Sequence, residues 1–190
     1  MSRWLGRVVL KLMGWKIHGE FPPISRLVVI VAPHTSNWDF IVGMAAKLAM
    51  QVKATWLGKH TLFFWPLGVL LRALGGIPVD RASARSVTED VAHQFSTRNR
   101  FILALSPEGT RKRVEKWKSG FYRIAVVAEV PMLMISLDYA SRTITVGPML
   151  RPTGNMDEDL PEIRSFFAGA SGKYPEQFAL PALQETATQD

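Results

Sequence analysis

Leu27-Val28-Val29-Ile30-Val31, then Pro33-His34-Thr35-Ser36-Asn37, then a helix-like stretch over 38–51, decides the architecture. Five consecutive apolar residues, four of them β-branched, have strand length. They lack the alternation of a strand with one wet face, so they predict a strand covered on both sides, as in a parallel sheet. Proline and the cap-type residues Thr35, Ser36 and Asn37 then turn the chain into a helix.

The same alternation continues outward. Residues 54–57 predict a second strand. Residues 62–74 predict a helix that begins near Pro66 and closes at Gly75-Gly76. Residues 77–79, 101–105, 132–139 and 143–146 predict further strands, and 83–97, 120–129 and 157–167 further helices. Strands alternating with helices predict an α/β fold, a mostly parallel central sheet flanked by helices. The chain of 190 residues suits one such domain, expected over 21–175, and residues 176–190 are expected to fray.

Residues 1–20 read as an amphipathic segment. Trp4, Leu5, Val8, Val9, Leu12 and Met13 recur with helical spacing beside a row of Arg3, Arg7 and Lys11, and Trp15 and Lys16 follow. Such a helix suits a membrane interface with its cations against anionic lipid, and docking on the domain's own core is the other reading. No stretch reaches the ~18–20 apolar residues needed to span a bilayer. Arg3, Arg7, Lys11 and Lys16 interrupt every candidate signal-peptide core. The expectation is a peripheral protein on the side of the membrane where it is made, the cytoplasmic face.

Charge is unevenly placed. Residues 1–153 carry 21 Lys/Arg and 9 Asp/Glu, whereas 154–190 carry 2 and 7. A basic body suits phospholipid headgroups, coenzyme A phosphates, an acidic carrier protein or nucleic acid. Nucleic acid fits least, because the cations fall in turns rather than along one recognition helix. Cysteine is absent, which removes disulfides, thiolate metal sites and a cysteine nucleophile. The carboxylates and histidines lack metal-ligand spacing, so no metal is expected.

Of four histidines, only His34 has a carboxylate placed to serve it, Asp39 in the first turn of the following helix. An aspartate there orients one imidazole nitrogen and leaves the other to accept a proton. A turn histidine beside a helix N-terminal aspartate is common, so the pair needs company. Ser106-Pro107-Glu108-Gly109-Thr110-Arg111 follows the strand 101–105, at the strand end where α/β proteins place ligands. The cations Lys112, Arg113, Lys116 and Lys118 come next. Gly75-Gly76-Ile77-Pro78-Val79-Asp80-Arg81 ends another short strand with an arginine.

Together these segments resemble the glycerolipid acyltransferase family, which includes the 1-acyl-glycerol-3-phosphate acyltransferases. The resemblance rests on His34 and Asp39 with four residues between, the glycine-rich strand ending in Arg81, Pro107-Glu108-Gly109-Thr110-Arg111, and Val130-Pro131. It runs in order over about residues 26–150. Three positions depart from the family pattern: Pro33 for asparagine, Ser106 for phenylalanine and Met134 for a second proline.

The resemblance implies transfer of a fatty acyl group from acyl-CoA or acyl carrier protein, as co-substrate with no cofactor, to the hydroxyl of a lyso-lipid. Lysophosphatidic acid, giving phosphatidic acid, is the default acceptor. A phosphate-free acceptor such as a lyso-ornithine lipid, or a lipid- or carrier-binding protein without catalysis, are the alternatives. His34 would be the general base and Asp39 its holder. Arg81, Glu108 and Arg111, with Gly109 and Thr110, would position the acceptor, and Lys118 would meet coenzyme A phosphates or a carrier protein. Backbone N–H groups near Gly109 are where an oxyanion would be met. Phe63, Phe64 and Trp65 would serve as core, as a tunnel wall or as an interface.

Overall fold

The computed structural model describes residues 3–79 and 84–182. Seven strands form one sheet in the order β1-β7-β6-β2-β5-β3-β4. The strands are β1 (Lys16–His18), β2 (Arg26–Ala32), β3 (Ala54–Lys59), β4 (Gly76–Val79), β5 (Phe101–Leu105), β6 (Met132–Asp138) and β7 (Thr143–Leu150). The five strands from β6 to β4 run parallel, whereas β7 pairs antiparallel with β6. The α/β expectation therefore holds, and the run 27–31 sits at the centre of the sheet with both faces covered.

The helices are α1 (Arg3–Leu12), α2 (Trp38–Ala49), α3 (Leu67–Ala73), α4 (Ala84–Thr97), α5 (Gly120–Val127) and α6 (Met156–Phe167). They divide between two cores. On one face of the sheet α4, α5 and α6 bury Phe95, Phe121, Ile124, Ile163 and Phe167 against Val28, Ile30 and Leu103. On the other, α2 and the end of α1 bury Val42, Ala46, Ala49 and Leu10 against Leu27, Val29 and Ile135.

Two boundaries differ from expectation. The amphipathic helix ends at Leu12 rather than running through 1–20. Gly14 takes φ +74°, and Met13, Gly14 and Trp15 donate back to Val9, Lys11 and Leu10, which closes the helix. Lys16–His18 then pair with Thr143–Thr145 as an edge strand. Trp15, read as part of the interfacial helix, is instead buried, with its ring 4.8 Å from that of Tyr139. At the other end, residues 176–182 are packed rather than frayed. Phe178 and Leu180 sit against the α5–α6 core, the Trp117 indole donates to Ala179 O at 3.1 Å, and the Ala182 N–H donates to Glu115 O at 2.9 Å.

Parallel pairing is what positions the site. Ile30 of β2 is paired with Leu105 of β5 on one side and with Met134 of β6 on the other. The chain leaves β2 and β5 at the same edge of the sheet, so the turns that follow, 33–37 and 106–111, emerge side by side.

Candidate active site

His34 stands two residues beyond β2, and its Nδ1 lies 3.2 Å from Asp39 Oδ2. Asp39 is the second residue of α2 and its side chain is 1 % exposed. Both oxygens of that carboxylate are engaged. Oδ2 also accepts the Thr35 and Ser36 N–H groups, each at 2.8 Å, and Oδ1 accepts the Tyr139 hydroxyl at 2.6 Å. These four contacts hold the carboxylate in place. With Nδ1 turned to Asp39, Nε2 is the ring nitrogen left to accept a proton.

Glu108 has a different place from the one the resemblance implies. It is buried, and its two oxygens accept the His34 backbone N–H at 3.1 and 2.9 Å. Ser106 Oγ donates to the same carboxylate at 3.3 Å. Glu108 thus ties the 106–111 turn to the backbone of His34 rather than reaching into the cavity. Burial pushes its carboxyl up to about 7; the bonds from His34 and Ser106 oppose this, and the charge of Asp39 adds to it.

A cavity of about 550 Å³ opens beside the pair. His34, Asp39, Gly109, Thr110, Arg111 and Lys118 line it, together with apolar residues such as Val29, Val31, Met44 and Met50. The structure therefore brings six of the expected site residues to one space and leaves Glu108 behind the wall. Arg81 lies outside the described residues. Gly109 holds φ +66°, and a Cβ there would run into the aliphatic stem of Lys118, so the turn needs glycine. The Gly109 N–H donates to Ser106 O at 3.2 Å, so within the turn it is already occupied.

Two contributors were missed from sequence. Tyr139, one hundred residues after Asp39, follows β6, the other neighbour of β2; polar residues just past the ends of strands flanking β2 are the signal that would have found it. Burial, with the Asp39 carboxylate, keeps its phenol well above the usual range and so in the donating form. Gln177 spans both turns, its amide NH₂ oriented to reach Thr35 O at 3.2 Å and Arg111 O at 2.6 Å. Gly172 and the Tyr174 N–H also lie against Thr35, the latter 3.3 Å from Oγ1. Among the described residues no cluster of three His, Asp or Glu has the arrangement of a metal site.

The Acyltransferase family model matches residues 15–138, about two thirds of the chain and all of the strands that carry His34, Glu108 and Tyr139's approach. The chain belongs to the acyltransferase family. This acyltransferase is also similar in fold to PlsC of Thermotoga maritima, a 1-acyl-sn-glycerophosphate (LPA) acyltransferase. The two align with a TM-score of 0.57 at 21% identity, over 87% of this chain and 73% of that one. No curated protein matches the chain. The matched region holds the His34–Asp39 pair, both turns and most of the cavity wall, whereas α6 and the 170–182 segment that braces the turns lie beyond it.

Proposed function

We propose that the protein transfers a fatty acyl group from acyl-CoA or acyl carrier protein to the free hydroxyl of a lysophospholipid, with His34 as general base. The observation that carries this reading is the His34 Nδ1–Asp39 Oδ2 contact at the wall of a largely apolar cavity. A thioester is already activated, so no covalent enzyme intermediate is needed. What the acceptor hydroxyl lacks is nucleophilicity. Nε2 of His34 takes its proton as the oxygen attacks the thioester carbonyl carbon. The imidazolium so formed is stabilised by Asp39, whose position Thr35, Ser36 and Tyr139 hold. Collapse of the tetrahedral adduct breaks the carbon–sulfur bond, and His34 returns the proton to the thiolate. The products are an ester and a free thiol. Such a base contributes ~10²–10⁴-fold in rate.

Lysophosphatidic acid is the acceptor this reading takes by default. Arg111, at the cavity, and Arg81 would grip its phosphate, since arginine forks match phosphate oxygens. Lys118 would meet the donor's phosphates or an acidic carrier. The enzyme would sit peripherally on an anionic leaflet, at the cytoplasmic face, through α1. Trp4 is 69 % exposed and Leu12 83 %, beside exposed Arg3, Arg7 and Lys11. Among the described residues no helix is long and apolar enough to cross a membrane.

The test is a panel of lyso-lipid acceptors with acyl-CoA and acyl carrier protein donors, read by product mass and thiol release. The expected result is acylated lysophosphatidic acid. Acylation of a phosphate-free lyso-lipid alone would overturn the acceptor, and thiol release without acylated product would overturn the transfer.

A further inference from the structure

Residues 62–70 form a stretch of surface that the chemistry above does not use. Leu62, Phe64, Trp65, Val69 and Leu70 are all exposed; Trp65 is 84 % exposed and Phe64 60 %. A cluster of large apolar side chains this exposed marks an interaction site rather than a core. It is also held out by construction. Phe63, between them in sequence, is turned inward and stacks on Trp56 with ring centroids 5.9 Å apart, and Trp56 meets Phe40 of α2 at 4.9 Å. Gly68 packs so close to the Phe63 carbonyl that a side chain there would collide, and the Arg72 guanidinium lies 5.4 Å from the Phe63 ring centroid. The anchored Phe63 and the close-packed Gly68 leave Phe64 and Trp65 facing water.

This segment shares a layer with α1. Gly6 of α1 lies against Ala45, Leu48 and Ala49 on one flank of α2. Lys47 Nζ donates to Leu74 O at 2.6 Å, at the end of α3, and by helical periodicity Lys47 and Phe40 lie on another flank. Ile41 is exposed on the outer side of the same helix. So α1, α2 and α3 cover one side of the sheet, and each presents apolar side chains outward.

Charge selects the partner. Residues 1–79, which build this layer, hold nine Lys/Arg and two Asp/Glu, Glu20 and Asp39, and Asp39 is buried. Residues 80–190 hold fourteen of each, so the whole net charge of +7 belongs to the first 79. No carboxylate side chain occurs from 40 to 79, while Lys59 and Arg72 border the exposed cluster. A second copy of the chain would bring two such basic faces together, which repel. An anionic bilayer accepts aromatic side chains at headgroup depth and cations above them.

We propose that residues 62–70 are a second membrane-contact element, and that the α1–α2–α3 face as a whole, rather than α1 alone, seats the enzyme on an anionic bilayer. The proposal rests on the membrane partner of the preceding section and adds the part of the chain that enters it.

Because the chain has no cysteine, a single introduced thiol is a unique reporter. Phe64→Cys, and Ser96→Cys on α4 at the opposite face of the sheet, are each labelled with an environment-sensitive fluorophore. They are then mixed with vesicles of phosphatidylcholine and phosphatidylglycerol, or of phosphatidylcholine alone. The label at 64 should shift to the blue and be quenched by lipid-borne quenchers on the anionic vesicles only, and the label at 96 should do neither. A water-like signal at 64 from protein that co-sediments with the vesicles would overturn the proposal while leaving the seat on α1 intact. Absence of co-sedimentation would overturn both. A Trp65→Ser, Leu70→Ser double variant should bind anionic vesicles at least about tenfold more weakly. Its turnover of a short-chain, monomeric acceptor should be unchanged. A wild-type dimer that the double variant converts to monomer without lipid would assign the face to a second copy instead.

Discussion

The turns after β2 and after β5 leave the same edge of the sheet, yet they are built in opposite ways. In the first, Thr35, Ser36 and Asp39 are buried and their polar atoms are satisfied within the fold. In the second, Lys112, Arg113 and Lys116 are exposed, and Arg111 and Lys118 reach the cavity. The difference teaches a division of labour. In the proposed mechanism the first turn fixes the proton acceptor in place, as acid–base chemistry needs, and the second presents charge that would adapt to a substrate. Glu108 joins them: it belongs to the second turn by sequence and to the first by burial and bonding.

The comparison breaks first at Asp39. In the proposed mechanism, Asp39→Asn removes the charge that would stabilise the His34 imidazolium, and it sets an amide against the donors of Thr35, Ser36 and Tyr139. It should lower kcat by at least ~10²-fold with KM for the donor little changed. Initial rates over a range of acyl-CoA would check this, and a pure KM effect would put Asp39 among the binding residues.

Glu108 makes a prediction in pH. Its folded carboxyl is raised to about 7 from the ordinary 4.5, so between those values the folded state binds the proton and the unfolded state does not. Stability from this group is therefore full below about 4.5 and is lost as pH rises towards 7. Glu108→Gln should flatten that fall in unfolding free energy by on the order of 1–3 kcal/mol. Denaturant titrations at pH 5 and pH 8 measure it; parallel slopes for both proteins would remove Glu108 as the cause.

Tyr139→Phe deletes one hydrogen bond to a charged group and nothing else in shape. It should lower kcat about tenfold and leave KM alone, because Asp39 is then held by one partner fewer. An unchanged kcat with a lower melting temperature would make Tyr139 structural only. At the second turn, Arg111→Ala and Lys118→Ala should raise KM by only several-fold, more at low salt than at high, with kcat kept. A collapse of kcat in either would erase the contrast between the turns.

Much of this site was legible in the sequence because it is local. The run 27–31, the cap residues before Trp38 and the spacing from His34 to Asp39 are near-neighbour facts, and the strand–turn pattern around 101–111 repeats them. What was not legible depends on the sheet order. Tyr139 meets Asp39 only because β6 lies beside β2, and Gln177 bridges the turns only because the chain after α6 returns over them. Glu108 looked like a ligand by its motif, and only its burial reveals a strut. The same holds for Phe63 and Phe64, adjacent and alike in sequence, which tertiary packing sends in opposite directions.

That His34 carries the proton is the step on which the proposed mechanism depends. It is tested most directly by measuring acyl transfer from acyl-CoA to lysophosphatidic acid with His34→Ala protein, reading thiol release and product mass together. The expected result is a fall of ~10²–10⁴-fold in kcat with an unchanged melting temperature. Transfer at the wild-type rate would contradict it.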